Sequence, residues 1–445
     1  MTQTLMAAAL AAALLGAPLA ATAGEAELLA RIEKMAAELE QLKAELRTGA
    51  KSAPGAEPRQ ASATPLAAPF AAPAPVSVAA PAPQSAPASQ LAASAPATVF
   101  SAYGEVNYNR PTKDASAAQA DVRRAVIGFT HRFDEKTKIV SELEWEHAIV
   151  SADDQGESEV EQLYVEREFE GGLRAKAGLF LIPSGLLNTN HEPTAYYGVE
   201  RNFVETAIIP STWREVGLGL SGETAAGLAW DTGLTTGFDL GKWDAAGPDG
   251  RESPLGAIHQ EGQLAKSRDV SVHGALNWRG VPGLLIGGSV FTGKAGHKAA
   301  GFSAQDARVT VYDLHTRYTP GRWDLSALYA RGQISHTDAL NATLVGNPTP
   351  VPSSFAGWYA QAAYQLFKSG DYTVTPFLRY EQFNTARRYS ELPAGLSVAP
   401  GADEKVATLG ANVRVGEGVV LKADYQKFSE DKSRDRLNLG MGFSY

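Results

Sequence analysis

From Val99 to Tyr445 apolar and polar residues exchange places at every second position, in segments that end in turns rich in Gly, Pro, Asp and Ser. The last segment is the clearest. Leu437, Leu439, Met441, Phe443 and Tyr445 share one parity; Arg436, Asn438, Gly440, Gly442 and Ser444 share the other. A period of two sends alternate side chains to opposite faces of a strand. Similar apolar rows are Trp323/Leu325/Ala327/Tyr329, Trp358/Ala360/Ala362/Tyr364/Leu366 and Val419/Leu421/Ala423/Tyr425. Sixteen strands are predicted: 99–109, 121–133, 137–149, 159–170, 173–182, 214–222, 227–238, 269–279, 283–293, 307–319, 322–334, 355–367, 372–384, 404–415, 418–428 and 435–445.

The connections alternate too. Short turns such as Gly171-Gly172, Pro320-Gly321 and Gly416-Glu417 take turns with longer ones: 110–120, 150–158, 183–213, 239–268, 294–306, 335–354, 385–403 and 429–434. Outer-membrane barrels keep that order, with short periplasmic turns, long external loops and an even strand number. A soluble sandwich has no reason to. Trp and Tyr near strand ends suit the aromatic girdles of such a barrel. The fold expected over 99–445 is all-β, a 16-stranded antiparallel transmembrane β-barrel set in outer-membrane lipid.

The N-terminal part reads differently. Residues 1–23 resemble a secretory signal: Leu5 to Leu19 is an Ala/Leu-rich core, and Ala21-Thr22-Ala23 suits cleavage before Gly24, although no Lys or Arg precedes the core. Over 25–47, Leu28, Ile32, Met35, Leu39, Leu42 and Leu46 follow a heptad, which predicts a short coiled-coil helix. Residues 48–98 form an Ala/Pro-rich linker expected to be disordered, a semi-stiff spacer unable to build a core. These two elements raise a structural alternative, a tether from the membrane to the cell wall, with the N-terminal segment in the periplasm.

Composition narrows the classes. The chain has no cysteine, which removes disulfides and thiolate chemistry. Its net charge of −9 argues against nucleic acid as a partner. Beyond the N-terminus no apolar run approaches the ~18–20 residues of a spanning helix. Catalysis finds no support. Gly288 to Ala295 nearly matches a phosphate-binding loop, but Ala295 stands where Ser or Thr is required. The eight histidines are scattered, and no Gly-x-Ser-x-Gly elbow occurs. No enzyme, metal or cofactor is expected.

The longest irregular stretch lies between Leu181 and Val216. Connections of roughly thirty residues are rare in compact domains and usually functional. In a wide barrel this one has room to fold into the lumen and narrow it, with Glu200, Arg201, Glu205, Arg214 and His191 as candidate constriction residues. By alternation Arg124, Glu142, Glu144, Glu146, Glu166, Arg174, Lys176, Arg379, Arg414 and Lys422 line the interior. Acids on the third and fourth strands and bases on the fifth could face each other across the lumen as a transverse field, or pair along adjacent strands as stiffening.

Gly178-Leu179-Phe180-Leu181-Ile182-Pro183-Ser184-Gly185-Leu186, Asn188, His191-Glu192-Pro193 and Pro210-Ser211-Thr212-Trp213-Arg214-Glu215-Val216-Gly217 resemble the phosphate-selective porin O and P family of Gram-negative bacteria. The terminal Phe443-Ser444-Tyr445 is similar to the aromatic C-terminal signature of outer-membrane proteins. The resemblance spans about 99–445. It implies a homotrimeric diffusion pore for small hydrophilic solutes whose better-known relatives prefer anions. The interior cations alternate with acids, however, and form no uninterrupted run of the kind that marks the phosphate-specific members.

Overall fold

The computed structural model describes residues 97–445, apart from 152–153, 346–347, 391, 393–395 and 397. The expected signal segment, the heptads and nearly all of the linker lie outside the described residues. The wall is made of β1 (Ala97–Pro111), β2 (Gln119–Arg132), β3 (Thr137–Glu146), β4 (Ser158–Glu168), β5 (Arg174–Leu181), β6 (Arg214–Glu223), β7 (Leu228–Thr235), β8 (Ser271–Trp278) and β9 (Leu284–Lys294), followed by β10 (Arg308–Tyr318), β11 (Trp323–Ile334), β12 (Ser354–Tyr364), β13 (Phe367–Ser369), β14 (Tyr372–Arg388), β15 (Glu404–Val415), β16 (Val419–Phe428) and β17 (Arg436–Ser444). β12 and β13 lie end to end along β14, so the wall has sixteen staves. Each is antiparallel to its neighbours, and β1 pairs with both β2 and β17, which closes the ring. Closure leaves no edge strand with unpaired backbone, a condition for standing in hydrocarbon.

The two parities separate as the sequence predicts. Leu218, Leu234, Leu276, Leu314, Leu378 and Leu409 are exposed, each on a different stave. Arg379 and Glu381, or Lys422, Asp424 and Gln426, are buried on the inner side. Greasy rows outside and polar rows inside are the arrangement of a barrel in a bilayer.

Strand bounds differ from the periodicity in several places, for example on β3 and between β12 and β13. The third strand stops at Glu146 rather than 149, because His147 and Ala148 adopt positive φ (59° and 61°), which ends the ladder. The segment expected at 355–367 is interrupted between Tyr364 and Phe367. At the tight turn after β4, Gly171 and Gly172 take φ of 75° and 77° with open space where a Cβ would stand, so the turn needs glycine for its dihedrals alone.

The interior is not uniformly polar. Toward the long-loop ends of β9 to β12, the inward residues Phe291, Val309, Val311, Leu328, Ala330 and Phe355 are buried against Trp213, Phe238, Leu240, Leu255 and Ile258 from the connections 182–213 and 236–270. Trp213 packs against Phe238 and Phe291 with ring centroids 5.1 and 4.6 Å apart. A sixteen-stave ring is too wide for wall side chains to fill. Two loops fill one side of it, and the wall they touch is apolar to match.

We expect Leu314→Arg, midway along β10 on the outer face, to cost about 2–4 kcal/mol in urea unfolding from lipid vesicles. A change under about 0.5 kcal/mol would remove Leu314 from the lipid face.

Candidate functional site

The connection from Ile182 to Trp213 runs inside the ring. Its neck is closed by Ile182 N–H donating to the Trp213 carbonyl (2.9 Å). Asn188 zips the neck further: its Nδ2 donates to the Ile182 and Trp213 carbonyls (2.7 and 2.8 Å) and its Oδ1 accepts from Trp213 N–H (2.7 Å).

Beyond the neck, loop backbone meets wall side chains of matching sense. Wall carboxylates take its N–H groups. Asp313 accepts from Gly185 (3.1 Å), Asp424 from Val199 (2.6 Å) and Glu381 from Phe203 (2.6 Å). Wall donors take its carbonyls. Arg414 donates to Thr194, Asn412 Nδ2 to Tyr196 (3.1 Å) and Arg379 to Tyr197 (3.1 Å). β17 makes room with glycine: a Cβ on Gly442 would sit 2.5 Å from Pro193 Cβ, and one on Gly440 3.0 Å from Val199 Cγ1.

Two latches hold the loop. Glu205, in the short turn Val204–Ile208, is 3% exposed. Its Oε1 accepts from Leu186 and Leu187 N–H (2.6 and 2.7 Å), its Oε2 from Asn202 Nδ2 (2.8 Å) and the Tyr359 hydroxyl (3.0 Å). Burial pushes its carboxyl above the usual range, against the pull of those hydrogen bonds. His191, also buried, lies 2.6 Å from Glu161 and 2.9 Å from the Tyr103 hydroxyl through Nε2, while Nδ1 meets the Asn188 carbonyl (2.9 Å).

The five candidate constriction residues therefore separate. Glu200 and Arg201 face a cavity. Glu200 accepts from Asn109 Nδ2 (3.0 Å), and Arg201 donates to Ser211 and to the His191 carbonyl (3.1 Å). His191 and Glu205 are latches. Arg214 lies at the start of β6, 2% exposed, paired with Glu159 and with Glu261 (3.3 Å).

Among the candidate lining residues, Arg124 is ion-paired to Glu105 (2.9 Å), Glu144 (3.0 Å) and Glu146 (3.3 Å). Glu166 meets Lys138 (3.0 Å), Lys176 meets Asp231 (2.9 Å) and Glu142 accepts from Gln162 (2.5 Å). Glu144, Glu146 and Glu166 pair with the stave beside them, as the stiffening alternative has it, rather than facing bases across the lumen. Arg174, inward on β5, has an Nε without a hydrogen-bond partner. Arg379 pairs with Glu381 (3.1 Å).

Two cavities flank the loop. One, about 1370 Å³, opens toward the long connections and is lined in part by Glu105, Arg124, Glu200, Arg201, Arg434 and Arg436. The other, about 530 Å³, opens toward the short turns and is lined in part by Asn277, Arg279, His315, Arg317, Asp324 and Arg379. They lie on different sides of the ring, and Tyr196 is the residue that lines both. Its hydroxyl donates to Glu105 Oε2 (2.7 Å), and Lys422 Nζ stands 3.5 Å from its ring centroid with no hydrogen-bond partner. A buried ammonium over an aromatic face is held by the ring quadrupole. Sequence reasoning missed Tyr196. The signal was the aromatic pair Tyr196-Tyr197 within the connection 183–213.

No protein-family model matches the chain. An uncharacterized protein of Aquifex aeolicus (strain VF5) is 27% identical over 351 residues, 75% of this chain and 76% of its own length. Among solved structures, the chain is similar to Salmonella typhi OmpF in complex with daunomycin, with a TM-score of 0.54 and 14% identity over 78% of this chain and 97% of that one. It is also similar to an anion-selective porin from Comamonas acidovorans, with a TM-score of 0.49 and 12% identity over 79% and 100%. At such identities the likeness to OmpF is one of fold: the closed sixteen-strand barrel.

Glu205→Ala strands two N–H groups and the Asn202 and Tyr359 side chains, and should weaken docking of the loop by about 3 kcal/mol. Trypsin should then cut at Arg201 in the folded variant and spare the parent chain. The raised Glu205 pKa sets the sign with pH. The docked loop binds a proton more readily than a released one, so docking is strongest in acid and is lost as pH rises through the raised value. Hydrogen exchange over 186–206 should show more protection at pH 5 than at pH 8. Glu205→Gln should flatten that difference, and an equal difference in the variant would assign it elsewhere.

Proposed function

We propose that the chain is a passive diffusion porin of a Gram-negative outer membrane, akin to the phosphate-selective porin O and P family, whose path for small hydrophilic solutes is narrowed by the connection 182–213. The observation that carries this reading is the pair of cavities on opposite sides of that loop with Tyr196 between them. A solute entering beside Glu200 and Arg201 leaves beside Arg279 and Arg317, and it passes Tyr196 on the way. The path is oblique, because the loops fill the other half of the wide end.

The preferred solutes are anions, weakly so. Arg201, Arg434 and Arg436 line the larger cavity and form no ion pair within 4 Å among the described residues, whereas Arg124 there is surrounded by carboxylates. Selectivity follows pore width and the charges left free to meet the solute. An unbroken run of cations is missing, so phosphate is one of several small anions admitted rather than a dedicated substrate. Lipid surrounds the barrel, and three copies associate.

Planar-bilayer recordings test the reading. The full chain should give ohmic steps, with a small anion-favouring reversal potential in a salt gradient; silence at high protein would end it. Replacing the septum side chain, Tyr196→Ala, should raise unitary conductance about twofold by widening the narrowest point. Arg201→Glu should turn the reversal potential toward cations. Unchanged conductance in Tyr196→Ala would move the narrowest point away from that residue.

A further inference from the structure

The outer face of β9 to β11 carries a feature that solute passage leaves unused. Along these staves the outward residues are apolar at Val290, Leu314 and Leu325. Toward the long-loop ends they change character. Tyr312 and Tyr329 come first, with ring centroids 6.3 Å apart, a fragment of aromatic girdle. Cations follow. Arg331 stands opposite Tyr312 in the β10–β11 ladder, and Arg308 stands opposite Lys294 in the β9–β10 ladder. All three share the parity of the lipid-facing rows.

The charges of the two arginines are poorly answered among the described residues. Asp306 takes both Lys294 (2.8 Å) and Lys298. Among the described residues the Arg308 side chain makes only a long contact, to the Thr292 hydroxyl (3.4 Å), itself 2.9 Å from the Thr310 hydroxyl. Arg331 forms no ion pair within 4 Å among the described residues, and its Nε is buried without a hydrogen-bond partner. Like charges directly opposite in a ladder repel. An unpaired guanidinium at the edge of hydrocarbon is costly as well. Both costs vanish if an anion sits between them. The Thr292 and Thr310 hydroxyls lie in the ladder row between Arg308 and Arg331, so a guanidinium reaching that row from either side offers a phosphate its fork beside two hydroxyls, and guanidinium forks bind phosphate bidentately.

We propose that Arg308 and Arg331, with Lys294, Thr292 and Thr310, bind the phosphate of a phosphorylated lipid headgroup at the long-loop rim of the barrel. The lipid is favoured over a free ion by position. The site lies directly above an aromatic pair and a Leu/Val face, so a lipid that places its phosphate there lays its chains on Val290, Leu314 and Leu325. A soluble phosphate would gain only the charge contact. The placement in the external leaflet rests on the outer-membrane reading; the binding chemistry does not.

The purified full chain in detergent is titrated with bis-phosphorylated lipid A and followed by native mass spectrometry. One lipid should be retained. The double variant Arg308→Ala, Arg331→Ala should weaken retention about 20-fold, roughly the contribution of two basic residues at a lipid surface. Dephosphorylated lipid A should bind the parent no better than the variant, and millimolar inorganic phosphate should not displace the lipid. Retention unchanged in the variant, or equal retention of the dephosphorylated lipid, would overturn the site. Displacement by inorganic phosphate would assign it to a free anion and overturn the lipid. Arg331→Lys, which keeps the charge and loses the fork, should bind between the parent and the double variant and controls for misfolding. The variants lie outside the lumen, so their conductance should match the parent's; a chain that binds lipid but never conducts fails the porin reading and spares this one.

Discussion

A polypeptide of roughly thirty residues inside a closed wall brings its backbone donors and acceptors to a place with few neighbours of its own kind, and each must find a partner. Leaving one unmade costs about 1–3 kcal/mol. The wall meets the demand with side chains of both signs. Asp313, Asp424 and Glu381 accept from loop N–H groups; Arg379, Arg414 and Asn412 donate to loop carbonyls. The interleaving of acids and bases in the lumen follows. A surface built only to favour one sign of solute would have no use for the acids, whereas a surface built to seat a backbone needs both.

The apolar side of the interior extends the same logic. Where the loops 182–213 and 236–270 meet, they satisfy one another with Trp213, Phe238, Leu240, Leu255 and Ile258, and the wall opposite is Phe291, Val309 and Phe355. Each large side chain so buried contributes about 1.5–3 kcal/mol. With one half of the wide end occupied, free volume moves to the staves that carry Glu105, Arg124 and Arg436. Toward the short turns the described residues form no such plug, and the space lies against Asn277, His315 and Arg317. Tyr196 stands between because the loop crosses there, with its ring fixed from both sides by Glu105 and Lys422.

The barrel was legible because alternation is a local signal repeated sixteen times, and one slip of register would have turned a whole row to the wrong side. Strand ends were less so: nothing in the periodicity marks the positive φ of His147. The inward parity of Arg379, Arg414 and Lys422 was legible, but their use was not. Alternation says which face a residue takes and is silent on what stands opposite, and here the opposite surface is a loop whose path depends on contacts more than a hundred residues away. Gly440 and Gly442 looked like ordinary small residues in the last strand. Their meaning appears only once Val199 and Pro193 are found against them. Arg214 follows Trp213, which closes the neck of the loop, and still pairs with Glu159 and Glu261 rather than with anything beside Tyr196.

Net charge misleads for the same reason. The segment from Glu25 to Arg59 holds seven acids and six bases, so the barrel carries −9 − (−1), or −8. Taken as a sum, that would favour cations. Yet in the larger cavity Arg124 already answers Glu105, Glu144 and Glu146, while Arg201 spends its hydrogen bonds on Ser211 and a carbonyl and keeps its charge. Beyond a screening length of about 8 Å at physiological salt, the acids of outlying loops contribute little at Tyr196. A solute there meets local pairing rather than the total, so the net charge of the chain does not by itself set the sign it prefers.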